Sequence, residues 1–258
     1  MHVTEAARCD RIVFYAAAIS SFLETSVPMY TRELRVMFAE DARFVDWLDI
    51  TWEPEESHHG ATMREYLAHT WPEYRWDDAY AAFLSEYRTR CGPQLLRATP
   101  AREMLARCVT ECQAAMMYRT LAAYATDPRA QALFTRMYAD EVAHYKVFLA
   151  QFRHYRRLER LGALEVMAGL VGRREKAHAE DTGTALRYVN YGYSRALPFE
   201  PLREGMILAA ARDAMREHFP LDTARRMMAK PLEAVSPAGR ALARVLSLAV
   251  SWRMQPAV

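Results

Sequence analysis

Hydrophobic positions along this chain recur with the period of an amphipathic helix, and no stretch alternates as a strand would. The pattern predicts a first helix over about residues 10–40 and a second over about residues 43–70. Pro28 lies inside the first helix and Pro54 inside the second. Because proline lacks a backbone N–H group, we expect a kink at Pro28 and a strained or interrupted turn at Pro54.

Further along, a loop over residues 71–77 precedes a shorter helix over residues 79–90. Thr99-Pro100 and Asp127-Pro128 each combine an N-cap residue with proline at the first helical position. These two signals predict long helices that end near Thr126 and near Leu161.

The four long helices form two pairs with a longer connection between them, which is the outline of an all-α, ferritin-like four-helix bundle. Residues 1–161 are predicted to form this bundle, and residues 162–258 to add shorter helices packed around it, all within one domain. The predicted breaks in this last part are Gly172, Pro198, Pro220, Pro231 and Pro237.

Composition agrees with a helical globular protein, since 52% of residues are hydrophobic, 26% are charged and only 9 are glycine. A net charge of +2 makes no electrostatic case for nucleic acid. The four cysteines form no CxxC pair, which favours a reduced, intracellular protein. The start resembles no signal peptide, and the apolar run over residues 13–23 is too short to span a bilayer. We therefore expect a cytoplasmic protein without membrane contact.

An approximate internal duplication carries the candidate chemistry. Glu24 is followed 32 residues later by Glu56 and then His59, and Glu111 is followed 30 residues later by Glu141 and then His144. In a helix, the Glu and His of a Glu-x-x-His pair lie on one face, close enough to share an ion. Four carboxylates and two imidazoles from four helices are the ligand set of di-iron and di-manganese bundles. We predict two iron ions (Fe2+/Fe3+) as the cofactor, with manganese as an alternative.

The short motif alone is weak, because the chain contains it four times, as Glu55/His58, Glu56/His59, Glu141/His144 and Glu175/His178. Glu56/His59 is preferred over its neighbour Glu55/His58 because it continues a row with Trp52 and Met63. Charged residues surround Glu175/His178 on all sides, so this pair is interpreted as solvent-exposed.

The surroundings of the acids strengthen the metal prediction. Glu24 interrupts an otherwise uncharged stretch over residues 13–30, and Glu111 and Glu141 also lie on apolar helix faces. A carboxylate buried there has to be paired, neutralised or bound to metal. Taken one at a time, each acid could equally be a partly exposed glutamate or one paired with an arginine.

These residues resemble the soluble acyl-carrier-protein fatty acid desaturases of the ferritin-like superfamily. The segment Trp52-Glu-Pro-Glu-Glu-Ser-His-His-Gly60 is similar to the family's Trp-x-x-Glu-Glu-x-x-His-Gly. Asp140-Glu-Val-Ala-His144 is similar to its Asp-Glu-x-x-His, and Glu24-Thr-Ser-Val-Pro-Met-Tyr30 to its Glu-x-x-x-Pro-x-Tyr. Glu111 falls where the family has its third helical glutamate, and the resemblance covers about residues 14–148.

The resemblance implies an O2-dependent di-iron oxidoreductase that desaturates an acyl chain held as a thioester, such as acyl-acyl-carrier-protein. Glu24 and Glu111 would be terminal ligands, and Glu56 and Glu141 would bridge the two irons. Asp140 would orient a ligand histidine, with Trp52 beside the ligands as a further supporting residue. Asp140 could instead be an ordinary surface acid. A homodimer is expected from the resemblance alone.

One departure keeps the reaction open. The family usually has threonine three residues after its third glutamate, and here that residue is Ala114. Hydroxylation or another oxidation is therefore an alternative to desaturation. Iron storage or peroxide removal by a ferritin-type or rubrerythrin-type bundle is a second alternative, and a metal-free helical adaptor a third.

Electrons would have to come from another protein, such as ferredoxin, because the chain has no flavin or dinucleotide motif and no iron–sulfur cysteine spacing. A basic stripe of Arg153, Arg156, Arg157 and Arg160 suits an acidic carrier protein or ferredoxin. A solvated face at a helix C-terminus explains the same stripe.

Overall fold

The computed structural model describes residues 3–177, 182–235, 239 and 241–243, without the side chains of residues 173–177 and 215. Within these ranges all regular elements are helical, which confirms the all-α class. The four-helix, ferritin-like arrangement stays a prediction. The α-helices are α1 (Glu5–Cys9), α2 (Arg11–Thr25), α3 (Val27–Met37), α4 (Ala42–Trp47), α5 (Glu53–Thr70), α6 (Trp76–Arg90), α7 (Pro100–Tyr124), α8 (Pro128–Glu159), α9 (Ala163–Ala177), α10 (Gly183–Val189), α11 (Glu204–His218) and α12 (Leu221–Glu233).

Pro28 and Pro54 both act where the sequence predicts. The first helix divides at Ser26 into α2 and α3, with Pro28 in the first turn of α3 and a bend of 42°. Pro54 occupies the first turn of α5. A π-helical turn over Leu48–Trp52 joins α4 to α5. In each case proline lies in a first turn, where its missing N–H group costs no helical hydrogen bond.

Three sequence predictions on boundaries are wrong. Helix α6 begins at Trp76, three residues earlier than expected, because the Trp76 ring packs on Phe22 and its Nε1 donates to Ser21 Oγ at 2.8 Å. Gly172 lies inside α9, where glycine costs only about 1 kcal/mol relative to alanine. Pro231 lies inside α12.

The Tyr145 hydroxyl explains how α12 tolerates Pro231. A proline at position 231 leaves the carbonyl of Met227, four residues earlier, without its helical donor. The Tyr145 hydroxyl donates a hydrogen bond to this carbonyl. A tertiary contact thus replaces the lost bond. Pro198 and Pro220 lie outside helices, and Pro237 lies outside the described residues.

Residues Met1–Leu96, Leu121–Phe134 and His178–Met215 form one compact unit. Its core is the packing of α2 on α5, with α6 and α10 also against α2. Aromatic rings fill the space between them, with Phe22 stacked on Phe83 and Phe14 edge-on to Trp71.

Residues Arg97–Thr120, Thr135–Ala177 and Arg216–Val258 form the other unit, in which α12 packs on α9. The start of α7 is fixed by Glu159, which accepts hydrogen bonds from Thr99 Oγ1 at 2.5 Å and from the Ala101 N–H at 2.7 Å.

Among the described helices, none is by itself both long and apolar enough to cross a membrane. The bent pair of α2 and α3 passes that test of length and composition when the two are taken together.

Candidate metal centre

Helices α2 and α5 carry the first three predicted ligands. Glu56 and His59 lie one turn apart on α5, and both are buried. Glu24 is half-buried near the C-terminal end of α2. Gly60, directly after His59, brings α5 close to this end of α2, since a β-carbon at Gly60 would lie 3.2 Å from the Glu24 carbonyl carbon.

Helices α7 and α8 carry the other three. Glu111 lies on α7, and Glu141 and His144 lie one turn apart on α8. The Nδ1 atom of His144 is 3.7 Å from a carboxylate oxygen of Glu111 and 3.9 Å from one of Glu141. These separations are too long for hydrogen bonds but suit donors that share one ion.

The donor atoms fall into two overlapping groups, each with atoms within 4.8 Å of one another. One consists of Glu24, Glu56, His59 and Glu141; the other consists of Glu56, Glu111, Glu141 and His144. Glu56 and Glu141 belong to both groups. All six predicted ligands are therefore brought together, and the two acids expected to bridge are the two that the groups share.

The donor set fits metal ions on two counts. Donors bound to one ion at about 2.0–2.2 Å lie at most about 4.4 Å apart, so these groups need little adjustment. Five of the six side chains are only 1–4% exposed. Carboxylates buried side by side repel one another, and two divalent cations would balance the four charges. Buried Glu and His groups that could hold metal are thus present, and their chemistry admits iron, manganese and zinc.

The neighbouring pair Glu55/His58 does not join these groups. His58 is exposed, and its backbone carbonyl accepts a hydrogen bond from Thr62 Oγ1. Glu55 is half-buried and belongs to neither group. The side chain of Glu175 and the whole of His178 lie outside the described residues.

The predicted supporting residues have distinct environments. Trp52 is buried in the π-helical turn just before α5. Asp140 is half-buried on α8, one residue before Glu141. Ala114 is half-buried on α7, one turn after Glu111.

A buried ion pair near Glu111 was not anticipated from the sequence. Arg107 Nε donates to Glu103 Oε1 at 2.7 Å, and the side chains of Arg107 and Glu103 are only 6% and 1% exposed. The other Glu103 oxygen accepts from the Arg97 backbone N–H at 2.8 Å. Glu103, Arg107 and Glu111 are spaced four residues apart, a periodicity that could have revealed a shared face.

Two cysteines flank Glu111 but fall outside both donor groups. Burial raises the pKa of the Cys112 thiol to about 12 and that of Cys108 well above its usual range. The four cysteines, Cys9, Cys91, Cys108 and Cys112, are all free.

The basic stripe is shorter than the sequence predicts. Arg153 and Arg157 are exposed on α8, but Arg156 is half-buried and donates to the Leu161 carbonyl at 3.2 Å. Arg160 follows the last helical residue and has φ 57°, so it leaves the helical row.

Comparison with protein-family models, curated proteins and solved structures finds no match to this chain. The resemblance to the desaturases therefore rests on the motifs around the six predicted ligands.

Proposed function

We propose that this protein is a di-iron enzyme that uses O2 to desaturate an acyl chain held as a thioester, such as acyl-acyl-carrier-protein. The observation that carries the proposal is the pair of overlapping donor groups, in which Glu56 and Glu141 occur twice. Two groups with two shared carboxylates form the arrangement that a carboxylate-bridged pair of ions needs. The motifs around these residues supply the substrate class.

Each ligand has a distinct role in this proposal. Glu56 and Glu141 would be shared by the two ions, His59 and Glu24 would complete the ligand set of one ion, and His144 and Glu111 would complete that of the other. When bound, the iron pair supplies the reduction of O2 and the removal of two hydrogen atoms from the acyl chain. The protein contributes a fixed ligand geometry, because each Glu-x-x-His pair lies on a continuous helix.

Apolar side chains next to the predicted ligands help to keep water away from the centre. Helix α5 places Met63 one turn after His59, and α8 places Phe148 one turn after His144, both fully buried. Such apolar neighbours exclude water, which strengthens the electrostatic hold on bound cations. Glu24 is the most exposed of the six predicted ligands.

Hydroxylation of the same substrate class is the second candidate, and Ala114 favours it. A hydroxyl three residues after Glu111 would assist proton delivery in the desaturases, and the methyl group of Ala114 offers none. Both reactions need an external electron donor such as ferredoxin. We also propose that an acidic carrier protein or electron donor binds to this protein. We propose in addition that the protein forms a homodimer.

The test is anaerobic loading with Fe2+ followed by turnover. Wild-type protein should bind two irons per chain and, with reduced ferredoxin, O2 and acyl-acyl-carrier-protein, yield an unsaturated or hydroxylated acyl product by mass spectrometry. Glu141→Ala should bind little iron and form no product. Two bound irons without any acyl oxidation, but with rapid peroxide consumption, would instead indicate an iron-handling or peroxidase protein. Absence of tight metal binding would reject the enzyme proposal altogether.

A further inference from the structure

The α8–α9 corner, defined here as Arg153, Arg157, Leu158, Arg160, Leu164 and Val171, exposes large apolar side chains. Leu158 is 66% exposed near the end of α8, and Leu164 is 75% exposed at the start of α9. The turn between them is well fixed, because Leu161 is buried and both its N–H and carbonyl groups bond to Arg156.

Helix α9 is apolar on two sides. Its inner side buries Val166 and Leu170. Its outer side presents Leu164, Ala168 and Val171, which are spaced as one helical stripe and are all exposed. A single exposed leucine needs no explanation, but an apolar stripe on a short apolar helix indicates a contact surface.

Three exposed arginines precede this stripe in the chain, while two nearby acids are already engaged. Arg153, Arg157 and Arg160 are exposed. Glu159 accepts hydrogen bonds from the start of α7, and Glu165 pairs with Arg102 at 2.8 Å. The charge available to a partner at this corner is therefore positive.

An apolar recess lies beside the stripe. It is a cavity of about 190 Å³ between α7 and α9, and it includes Leu105, Ala106, Leu161 and Gly169. Arg97, Arg102 and Glu165 also line it, and since Glu165 pairs with Arg102, the recess combines apolar walls with a net positive charge.

We propose that the α8–α9 corner docks on membrane surfaces that contain anionic lipid. Leucines at an interface enter the boundary between headgroups and acyl chains, while arginines bind the lipid phosphates. An acidic protein would match the arginines but not the exposed leucines. The expectation of no membrane contact rested on spanning segments, and interfacial docking needs none.

The full-length protein is to be floated with vesicles of phosphatidylcholine alone and of phosphatidylcholine mixed with phosphatidylglycerol. We expect binding to the mixed vesicles that weakens with salt, and little binding to phosphatidylcholine. Arg153→Gln/Arg157→Gln should reduce the partition coefficient about fivefold for each arginine removed. Leu158→Gln/Leu164→Gln should reduce it by about tenfold or more.

Matched controls use equally exposed residues elsewhere. Val36→Gln/Ile50→Gln removes side chains that are 73% and 76% exposed, and Arg43→Gln/Arg136→Gln removes two exposed arginines. Both controls should bind as wild type does, with helix content checked by circular dichroism. Three results would each overturn the proposal. The wild type could fail to float with the mixed vesicles, or the test and control pairs could have equal effects. The arginine pair could also lose vesicle binding while the leucine pair keeps it. The last result would mean that electrostatic attraction alone holds the protein to the vesicles and that the exposed leucines do not enter the membrane interface. None of these readouts depends on bound metal.

Discussion

Gly60 of α5 lies against Thr25 of α2 so closely that a β-carbon on Gly60 would come within 2.6 Å of Thr25 Oγ1 and 2.7 Å of its backbone nitrogen. The hydroxyl could rotate away, but the backbone nitrogen could not. The contact holds the chain at Glu24 and Thr25 beside His59 and Gly60, so it sets the spacing of half of the candidate metal centre.

Gly60→Ala should therefore move α5 away from α2. Overpacking of this kind costs about 1–3 kcal/mol, and we expect this loss in the free energy of unfolding measured with urea. Because Glu24 moves with Thr25, the variant should also bind its metal ions less tightly. Metal content after dialysis against a weak chelator measures that effect.

Gly172→Ala is the matched control, because nothing lies within 4 Å of a β-carbon at Gly172 in α9. Alanine is the better helix former by about 0.5–1 kcal/mol, so this variant should be slightly more stable than wild type. If both substitutions lowered the free energy of unfolding equally, the close contact at Gly60 would not be the cause of the destabilisation.

Removing an acid that both donor groups share should reduce iron binding more than removing an acid that belongs to only one group. Glu141 belongs to both donor groups, so Glu141→Ala should abolish most iron binding. Glu24 belongs to one group, so Glu24→Ala should retain about one of two irons by elemental analysis. Glu55→Ala, next to Glu56 but outside both groups, should retain both. Two tightly bound irons in Glu141→Ala would contradict the bridging role.

The buried pair of Glu103 and Arg107 should be costly to break. Arg107→Met leaves the Glu103 carboxylate buried without this partner, and we expect a loss of about 3–5 kcal/mol in the free energy of unfolding. The double variant Glu103→Gln/Arg107→Met should recover much of that loss. A thermodynamic cycle from urea denaturation measures the coupling, and strictly additive effects would mean that the two residues act independently.

Stability should decline in alkaline solution, in part through Tyr66. Burial, followed by the hydrogen bond to Asp127 at 2.9 Å, raises the pKa of the Tyr66 hydroxyl. Above pH about 10 the unfolded chain loses this proton first. The folded state then binds more protons than the unfolded state, so the free energy of unfolding falls as pH rises.

Tyr66→Phe should reduce the slope of that fall, measured by urea denaturation at a series of alkaline pH values in the presence of chelator. It should also lower the stability at neutral pH by about 1 kcal/mol, because the hydrogen bond to Asp127 is lost. Tyr191→Phe, at an exposed position, is the control. An unchanged slope in Tyr66→Phe would show that the buried hydroxyl does not drive the alkaline loss.

Local signals were sufficient for most of the helices. Proline in a first turn has the same meaning in any context, so the starts of α7 and α8 at Pro100 and Pro128 could be read directly. The sequence alone could not exclude helix breaks at Gly172 and Pro231. The free-energy cost of glycine or proline inside a helix is offset by interactions that the local sequence does not show. The donor that compensates Pro231 is Tyr145, 86 residues earlier in the chain.

The sequence by itself determined the helical class and the kinds of ligand on each helix, because helical periodicity and the Glu-x-x-His spacing are local. It favoured Glu56/His59 over Glu55/His58 because Glu56 and His59 continue a row with Trp52 and Met63, although the two pairs differ by only one residue of helix rotation. The tertiary structure decided which pair is buried, which acids the two donor groups share, and that Arg107 turns to Glu103. These outcomes depend on how closely separate helices approach, and that distance is set by packing between residues far apart in the chain, such as Gly60 against Thr25.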